Sequence, residues 1–353
     1  MNHINGLRTI LAKKEIDALL LTSPISQRYA VDYAFTDGYV LIAEKDTYLI
    51  TDFRYKEEAE HSVDPVITVV TPPSGREFVL DMLHDGAITS IGIEDRVMTL
   101  YDHETTFVEK GIQTVRIGDE IEKLRAVKDD EEIARIRAAQ AITDAAYDHI
   151  LSVMTPNMTE IDVALELEFF MRRHGADGVA FQTIAVSGPA SALPHGTPSN
   201  VKLRRGFLTM DFGASLSGYA SDMTRTVVIG TATPEMKMLY RTVLEAQELG
   251  IQAICEGVGG ALVDGAARAH IDGRGYRGMF GHSFGHGVGL EIHEEPRLSQ
   301  RNPLPLAAGN VVTAEPGIYC EGLYGCRIEN MGLVTQNGFE NFTKSSKELI
   351  ELF

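Results

Sequence analysis

Residues 207–228 read FLTMDFGASLSGYASDMTRTVV, two runs rich in β-forming residues that flank a Ser/Gly turn. If Leu216 and Ser217 form a two-residue hairpin loop, Asp211 lies directly opposite Asp222 in the resulting hairpin. Opposed side chains on one face of a hairpin have Cβ atoms about 5 Å apart, and like charges at that distance are destabilising. We therefore predict that a cation lies between these two aspartates.

Three further segments downstream combine histidine or glutamate with strand-like or glycine-rich sequence. They are GHSFGHGVGLEIHEEP at 281–296, VVTAEPGIY at 311–319 and GCRIEN at 325–330. The last two place Glu315 and Glu329 on or beside strand-like runs. Because residues two apart share one face of a strand, Arg327 should point the same way as Glu329, with Cys326 and Ile328 on the opposite face.

The glycines at 285, 287 and 289 do not have the spacing of a phosphate-binding loop, and no Gly-Lys-Ser/Thr follows them. On a regular strand, His286 and His293 are seven apart and would face opposite ways. Glycine permits a bulge or kink that would bring both rings to one site. We predict such an irregularity here.

Four carboxylates and one imidazole could thus converge, namely those of Asp211, Asp222, His286, Glu315 and Glu329. Oxygen-rich ligand sets with one nitrogen suit Mn²⁺, Co²⁺, Fe²⁺ or Zn²⁺. Five ligands are too few to close two coordination spheres, which leaves positions for water and substrate. The pattern indicates a catalytic metal site.

The ordered ligand set, within SDMTRT at 221–226, GHGVGLEIHE at 285–294 and EPGIY at 315–319, resembles the pita-bread metallopeptidases. This family includes Xaa-Pro aminopeptidase, Xaa-Pro dipeptidase (prolidase) and methionine aminopeptidase. These sequence motifs are similar to those of the proline-specific branch, and the resemblance extends over nearly the whole chain, including TDFRY at 51–55. Asn330 departs from the pattern, because many relatives have an acidic residue after the last ligand.

The resemblance implies an α/β N-terminal domain at 1–125 and an α+β pita-bread domain, like those of creatinase and the aminopeptidases, at 126–353. It also implies a dinuclear site in which Asp211 binds one ion, His286 and Glu315 bind the other, and Asp222 and Glu329 bridge them. Mn²⁺ is the first expectation, with Co²⁺, Zn²⁺ or Fe²⁺ as alternatives. A homodimer is a further implication.

The expected reaction is hydrolysis of an Xaa-Pro bond in peptides or dipeptides. Two divalent cations would offset four carboxylates and lower the pKa of a water between them, so that the resulting hydroxide attacks the scissile carbonyl. Glu315 is a candidate proton shuttle.

An Xaa-Pro bond has no N–H, so the enzyme must hold the bond by its carbonyl oxygen. His293 is the candidate that stabilises the developing oxyanion. His195, in LPHGTPS, and His282 resemble substrate-side histidines of the family, and His195 is also a candidate catalytic residue. Arg327 is expected to orient a bridging carboxylate or to bind a substrate carboxylate.

The formal net charge of −18 argues against nucleic acid or an anionic membrane as a partner. The chain begins without an apolar signal-like region, and no stretch reaches the roughly 18 apolar residues of a membrane span. A cytoplasmic protein is the expectation.

Residues 1 to about 120 alternate helical and strand patterns, which predicts a mixed sheet. A domain boundary is expected between residues 121 and 130. Beyond it, Asp129 and Glu132 predict a capped helix, and Thr159 and Thr233 are expected to begin two more. No internal repeat is visible in the sequence.

Two other functions remain open. One is a pita-bread binding protein that has lost catalysis, and the other is a metal-independent hydrolase of the creatinase kind. Intact ligand types argue against both, and a metal analysis would separate all three. The sequence does not decide between dipeptides and longer peptides as substrates.

Overall fold

A computed structural model describes residues 3–85 and 88–353, and the chain divides into two compact units, Met1–Arg125 and Ala126–Phe353. Within the described residues, none of the helices has both the length and the apolar character needed to cross a bilayer.

The first unit is an α/β domain built on a mixed sheet, as the alternating sequence patterns predict. Its strand order is β4-β3-β2-β1-β5-β6, and β2 runs antiparallel to both of its neighbours. The strands are β1 (Ala18–Leu21), β2 (Tyr39–Ala43), β3 (Thr47–Ile50), β4 (Thr68–Val70), β5 (Ile91–Ile93) and β6 (Thr114–Arg116). The helices are α1 (Ile4–Lys14), α2 (Pro24–Val31), α3 (Phe53–Ser62), α4 (Gly75–His84), α5 (Leu100–His103) and α6 (Gly118–Ala126).

The helices of the second unit begin where the capping residues indicate. Asp129 and Glu132 form the predicted capping box, and Thr159 and Thr233 each accept a hydrogen bond from the first turn of their helix. The helices are α7 (Asp130–Val153), α8 (Glu160–Arg173), α9 (Pro234–Ala253) and α10 (Gly260–Ile271). Helix α10 begins at a glycine with no side-chain cap, so its start carries no such signal.

The strands of the second unit form several small, largely antiparallel sheets. They are β7 (Gly178–Val179), β8 (Ile184–Ser187), β9 (Gly206–Phe212), β10 (Ala214–Leu216), β11 (Tyr219–Ala220), β12 (Met223–Ile229), β13 (Gly285–Gly287), β14 (Glu294–Leu298), β15 (Val311–Ala314), β16 (Gly317–Cys320), β17 (Tyr324–Arg327), β18 (Asn330–Thr335), β19 (Gly338–Asn341) and β20 (Glu351–Leu352).

The second unit contains a structural repeat. In each half a long helix, a short connection and a second helix precede three strands in which each neighbouring pair is antiparallel. These strands are β8-β9-β12 in one half and β13-β15-β18 in the other. A small hairpin, β10–β11 or β16–β17, interrupts each half at the same place. Each half also has its own apolar core between helices and strands. The two halves can fold alike when their patterns of buried and exposed residues are similar, even if the residues themselves differ. Sequence inspection therefore does not detect this repeat.

The hairpin register differs from the sequence prediction. Leu216 pairs with Tyr219, so the loop residues are Ser217 and Gly218, and Asp211 therefore pairs with Thr224 rather than with Asp222. Ser217 and Gly218 both have positive φ, the conformation that a tight two-residue hairpin loop requires. The pairing partner of Asp211 is thus two residues further along the second strand than predicted. Because side chains alternate with a period of two, this change leaves both aspartates on the same face of the hairpin.

Candidate metal centre

The cavity between the two halves of the second unit is about 420 Å³ in volume. Every site residue named from the sequence lines it: Asp211, Asp222, His286, Glu315, Glu329, His195, His282, His293 and Arg327. As predicted, Arg327 and Glu329 face this cavity, whereas Cys326 and Ile328 face the apolar core.

The structural repeat explains how four carboxylates reach one place. Strands β9 and β12 are antiparallel neighbours. Asp211 lies near the end of β9, and Asp222 lies just before the start of β12. Glu315 directly follows β15 and Glu329 directly precedes β18, the corresponding pair in the second half. Each half therefore contributes one carboxylate from the end of a strand and one from the start of the adjacent strand.

His286 lies among these acids. Its Nε2 is 3.2 Å from Glu315 Oε1 and 3.6 Å from Asp222 Oδ2. One ligand atom each from Asp222, His286 and Glu329 all lie within 4.8 Å of one another, and all three residues are buried. A single divalent ion can be reached by all three side chains.

Burial and mutual repulsion make this cluster electrostatically unfavourable. Burial and the neighbouring carboxylates hold the pKa values of Asp222 and Glu329 well above the usual range. Burial also raises the pKa of Asp211, although the Arg327 charge opposes that shift. Burial acts against ionisation of Glu315 too, but the His286 hydrogen bond and nearby positive charges outweigh it and lower the pKa to about 2.

The donor set fits a metal. Asp211 Oδ1 and Glu329 Oε1 are buried and have no hydrogen-bond partner among the described residues. Buried carboxylate oxygens without a partner are costly, and a hard divalent cation would satisfy both oxygens and offset the repulsion. The presence of a cation between Asp211 and Asp222 stays a prediction, and it no longer depends on direct pairing of the two aspartates.

Arg327 holds the acidic cluster from one side. It is 3% exposed, and its Nη2 donates to Asp211 Oδ2 at 2.5 Å while its Nε donates to Thr224 Oγ1 at 2.9 Å. Thr224 in turn donates to Glu329 Oε2 at 2.7 Å. These contacts favour the expectation that Arg327 orients carboxylates of the candidate metal centre over direct binding of a substrate carboxylate.

Similarity to known proteins agrees with this geometry. Residues 134–336 match the model of metallopeptidase family M24, and residues 3–127 match the creatinase/prolidase N-terminal domain. The chain belongs to family M24. Its relatives place it with the Xaa-Pro peptidases. The two matched domains also confirm the predicted fold, a creatinase-type N-terminal domain followed by a pita-bread domain.

Three relatives of this M24 chain illustrate the similarity. An Xaa-Pro dipeptidase of Pyrococcus furiosus is 36% identical over 98% of this chain and 99% of its own length. The structure of an Xaa-Pro dipeptidase from Bacillus anthracis is 41% identical, with a TM-score of 0.93 over 99% of both chains. The structure of an X-Pro aminopeptidase from Thermotoga maritima is 36% identical, with a TM-score of 0.94 over the full length of both.

In this M24 peptidase the two histidines His286 and His293 meet, with ring centroids 4.3 Å apart. The predicted bulge is present between His286 and Gly287. The larger cause is a reversal of the chain, because β13 and β14 are antiparallel and the loop between them returns His293 to the site. Partial burial and the nearby charges of His286 and Arg297 lower the pKa of His293 to about 4, so its ring is neutral at neutral pH.

The remaining histidines of the M24 site have different surroundings. His282 Nε2 is 2.9 Å from Tyr319 Oη, and burial lowers the pKa of His282. His195 is exposed to solvent on a turn of the loop that follows β8. Its position therefore depends on the backbone that carries it.

Sequence reasoning missed two residues of the site. Tyr319 accepts a hydrogen bond from Arg327 Nη1 at 2.7 Å and contacts His282, so it links the acidic cluster to His282. It stands in the EPGIY segment, four residues after Glu315, which was the available signal. Arg297 lines the cavity near His293, and the sequence around it carries no comparable signal.

Proposed function

We propose that this M24 metallopeptidase hydrolyses Xaa-Pro bonds with two divalent cations, for which Mn²⁺ is the first candidate. The observation that supports this most strongly is the set of four carboxylates in one cavity, two buried and two half-buried, of which two have buried oxygens without a hydrogen-bond partner among the described residues.

In this proposal Asp211 binds one cation, His286 and Glu315 bind the other, and Asp222 and Glu329 are shared between them. The central positions of Asp222 and Glu329, each close to His286, support the shared role. Bound there, the cations would supply a water of lowered pKa and would polarise the scissile carbonyl. Glu315 is ionised at neutral pH and can accept the proton that the attacking water loses.

The histidines are proposed to recognise a peptide bond whose proline nitrogen cannot donate a hydrogen bond. Because the Xaa-Pro nitrogen carries no hydrogen, recognition must use the carbonyl oxygen and the ring. His293 is neutral at neutral pH and can donate one N–H to that oxygen as negative charge develops on it. His195 and His282 line the same cavity and are proposed to contact the substrate.

Arg297 bears on the choice between dipeptides and longer peptides. Its guanidinium is close enough to His293 to lower the pKa of that ring, and it lines the cavity. A dipeptide ends in a carboxylate immediately after proline, and arginine pairs well with carboxylates. We therefore favour Xaa-Pro dipeptides as the better substrates.

The test compares Ala-Pro, Ala-Pro-Ala and the control Ala-Ala with purified enzyme that has been treated with chelator and then supplied with Mn²⁺ or Co²⁺. We expect metal-dependent cleavage of Ala-Pro, loss of that activity in Asp222→Asn, and little cleavage of Ala-Ala. Arg297→Met should reduce kcat/KM for Ala-Pro by about 10–100-fold and leave Ala-Pro-Ala less affected. Activity that survives complete metal removal would contradict the proposal.

Metal analysis of the same samples separates the alternatives. A stable, metal-free protein without peptidase activity would favour the binding-protein hypothesis, and a metal-free active hydrolase would favour the creatinase-like one. The homodimer, the cytoplasmic location and the absence of nucleic-acid and membrane partners stay predictions from the sequence.

A further inference from the structure

The buried carboxylate of Glu160 lies in the second unit, outside the metal cluster, and accepts hydrogen bonds at both ends of a loop of the cavity. Glu160 is the first residue of α8, is 3% exposed, and is not needed to cap its helix, because Thr159 and Asp162 already form a capping box. Its side chain accepts hydrogen bonds from two serines that lie far along the chain.

The geometry of these hydrogen bonds is that of a clamp. Glu160 Oε1 accepts from Ser187 N at 2.8 Å and from Ser187 Oγ at 2.9 Å. Glu160 Oε2 accepts from Ser199 N at 3.2 Å and from Ser199 Oγ at 2.8 Å. Each carboxylate oxygen therefore holds one of two residues, and the eleven residues 188–198 form a closed loop between them.

This loop forms a wall of the metal cavity and carries His195. Residues 194–198 all line the cavity. Arg327 Nη1 donates to the Pro194 carbonyl at 3.2 Å, which anchors the loop near its tip, whereas Glu160 anchors its base. Because the His195 side chain is exposed, its position depends on these backbone anchors at the tip and at the base of the loop.

The structural repeat offers an internal comparison. The residue at the same helical position in the second half, the first residue of α10, is Gly260. The repeated architecture thus forms without a carboxylate at this position. The carboxylate occurs in the half whose following loop carries His195.

We propose that Glu160 is a positioning residue, which clamps the loop 188–198 and thereby places His195 against the substrate. This inference rests on the proposed peptidase function for its kinetic consequence, but the clamp itself can be measured without activity. A glutamine at 160 keeps one acceptor oxygen and turns an amide NH₂ toward the donors of one serine, so it should release one side of the loop.

The experiment combines hydrogen exchange with kinetics on the full-length, metal-loaded enzyme. In Glu160→Gln we expect backbone amides of residues 188–198 to exchange about tenfold faster, and kcat/KM for Ala-Pro to fall about tenfold, because buried charge-assisted hydrogen bonds are lost. Glu166→Gln, on the same helix but paired with His149 at the surface, is the matched control and should change neither quantity.

A double-mutant cycle separates positioning from a general loss of stability. If Glu160 acts through His195, adding Glu160→Gln to His195→Ala should cause little further loss of kcat/KM. Ser199→Ala removes a single hydroxyl from the clamp and should give about a threefold loss, which provides a milder variant if Glu160→Gln does not fold.

Unchanged exchange of residues 188–198 in Glu160→Gln, or losses that multiply fully in the double variant, would overturn the clamp. Wild-type enzyme that fails to cleave Ala-Pro would instead contradict the proposed function. The hydrogen-exchange measurement would still test the clamp, because it does not depend on activity.

Discussion

Replacing Asp222 with asparagine should stabilise the protein after metal removal and should remove most of the stabilisation that metal provides. Asp222 is 4% exposed, and one of its oxygens lies within 4.8 Å of a Glu329 oxygen. Burial and the charges of Glu329, Asp211 and Glu315 raise the pKa of Asp222 well above its ordinary value. The native fold therefore carries a repulsion that the metal-free protein cannot neutralise except by binding protons.

The size of the effect follows from the spacing. Two unit charges 4.8 Å apart repel each other by about 3 kcal/mol at an effective dielectric constant of about 20. Asp222→Asn should therefore raise the free energy of unfolding of the metal-free protein by about 3 kcal/mol when both groups are ionised. For a unit of this size that corresponds to a rise in Tm of about 6–12 °C.

The dependence on pH has a defined sign. A carboxyl whose pKa is higher in the folded than in the unfolded state binds more protons when folded, so stability falls as pH rises. The metal-free wild type should therefore lose stability from about pH 4, near the ordinary pKa of 3.8, up to the raised pKa values of Asp222 and Glu329. Asp222→Asn should show a shallower decline.

The assay is thermal unfolding of wild type and Asp222→Asn with chelator or with Mn²⁺, at pH 5 and pH 8.5. Saturating metal, at about 100 times its Kd, should stabilise the wild type by about 2.7 kcal/mol, and the variant should lose most of this gain. Asp130→Asn, at an exposed position of α7, is the control and should behave as wild type. A variant that is less stable than wild type in chelator would refute the reasoning.

Three further predictions concern the scaffold. Lys128→Met should lower the free energy of unfolding, measured in urea, by about 3–5 kcal/mol, because the fully buried Lys128 ammonium contacts Glu294 at 2.5 Å and its removal leaves the Glu294 charge unpaired. A loss below about 1 kcal/mol would contradict this prediction. Glu120→Gln should cost about 1 kcal/mol at pH 7, because the Lys14 hydrogen bond lowers the pKa of Glu120. This stabilisation is lost as pH falls through the lowered pKa, so the effect of the substitution should shrink with decreasing pH, and an effect that does not depend on pH would count against it. Thr159→Ala should lower stability by about 1 kcal/mol through loss of its cap, as measured by thermal unfolding, and an unchanged Tm would show that the cap is not needed.

Much of the fold was predictable because its signals are local. The starts of α7, α8 and α9 depend on capping residues within three positions of the helix, and these were read correctly. Helix α10 was not predicted, because it begins at a glycine and has no side-chain cap that would mark its start. The hairpin loop was misplaced by one residue along the chain, because Leu216-Ser217 and Ser217-Gly218 are both plausible turns until strand pairing decides between them.

The sequence by itself determined which side chains could bind metal and in what order, because ligand chemistry depends on residue type and on the short motifs around each residue. Only the tertiary structure decided that Asp211 pairs with Thr224, that Arg327 holds Asp211, and that Glu160 clamps a loop of the cavity. Those contacts join residues that are far apart in the chain or on separate strands. Their formation depends on strand register and on the packing of two similar halves, and no local pattern specifies either.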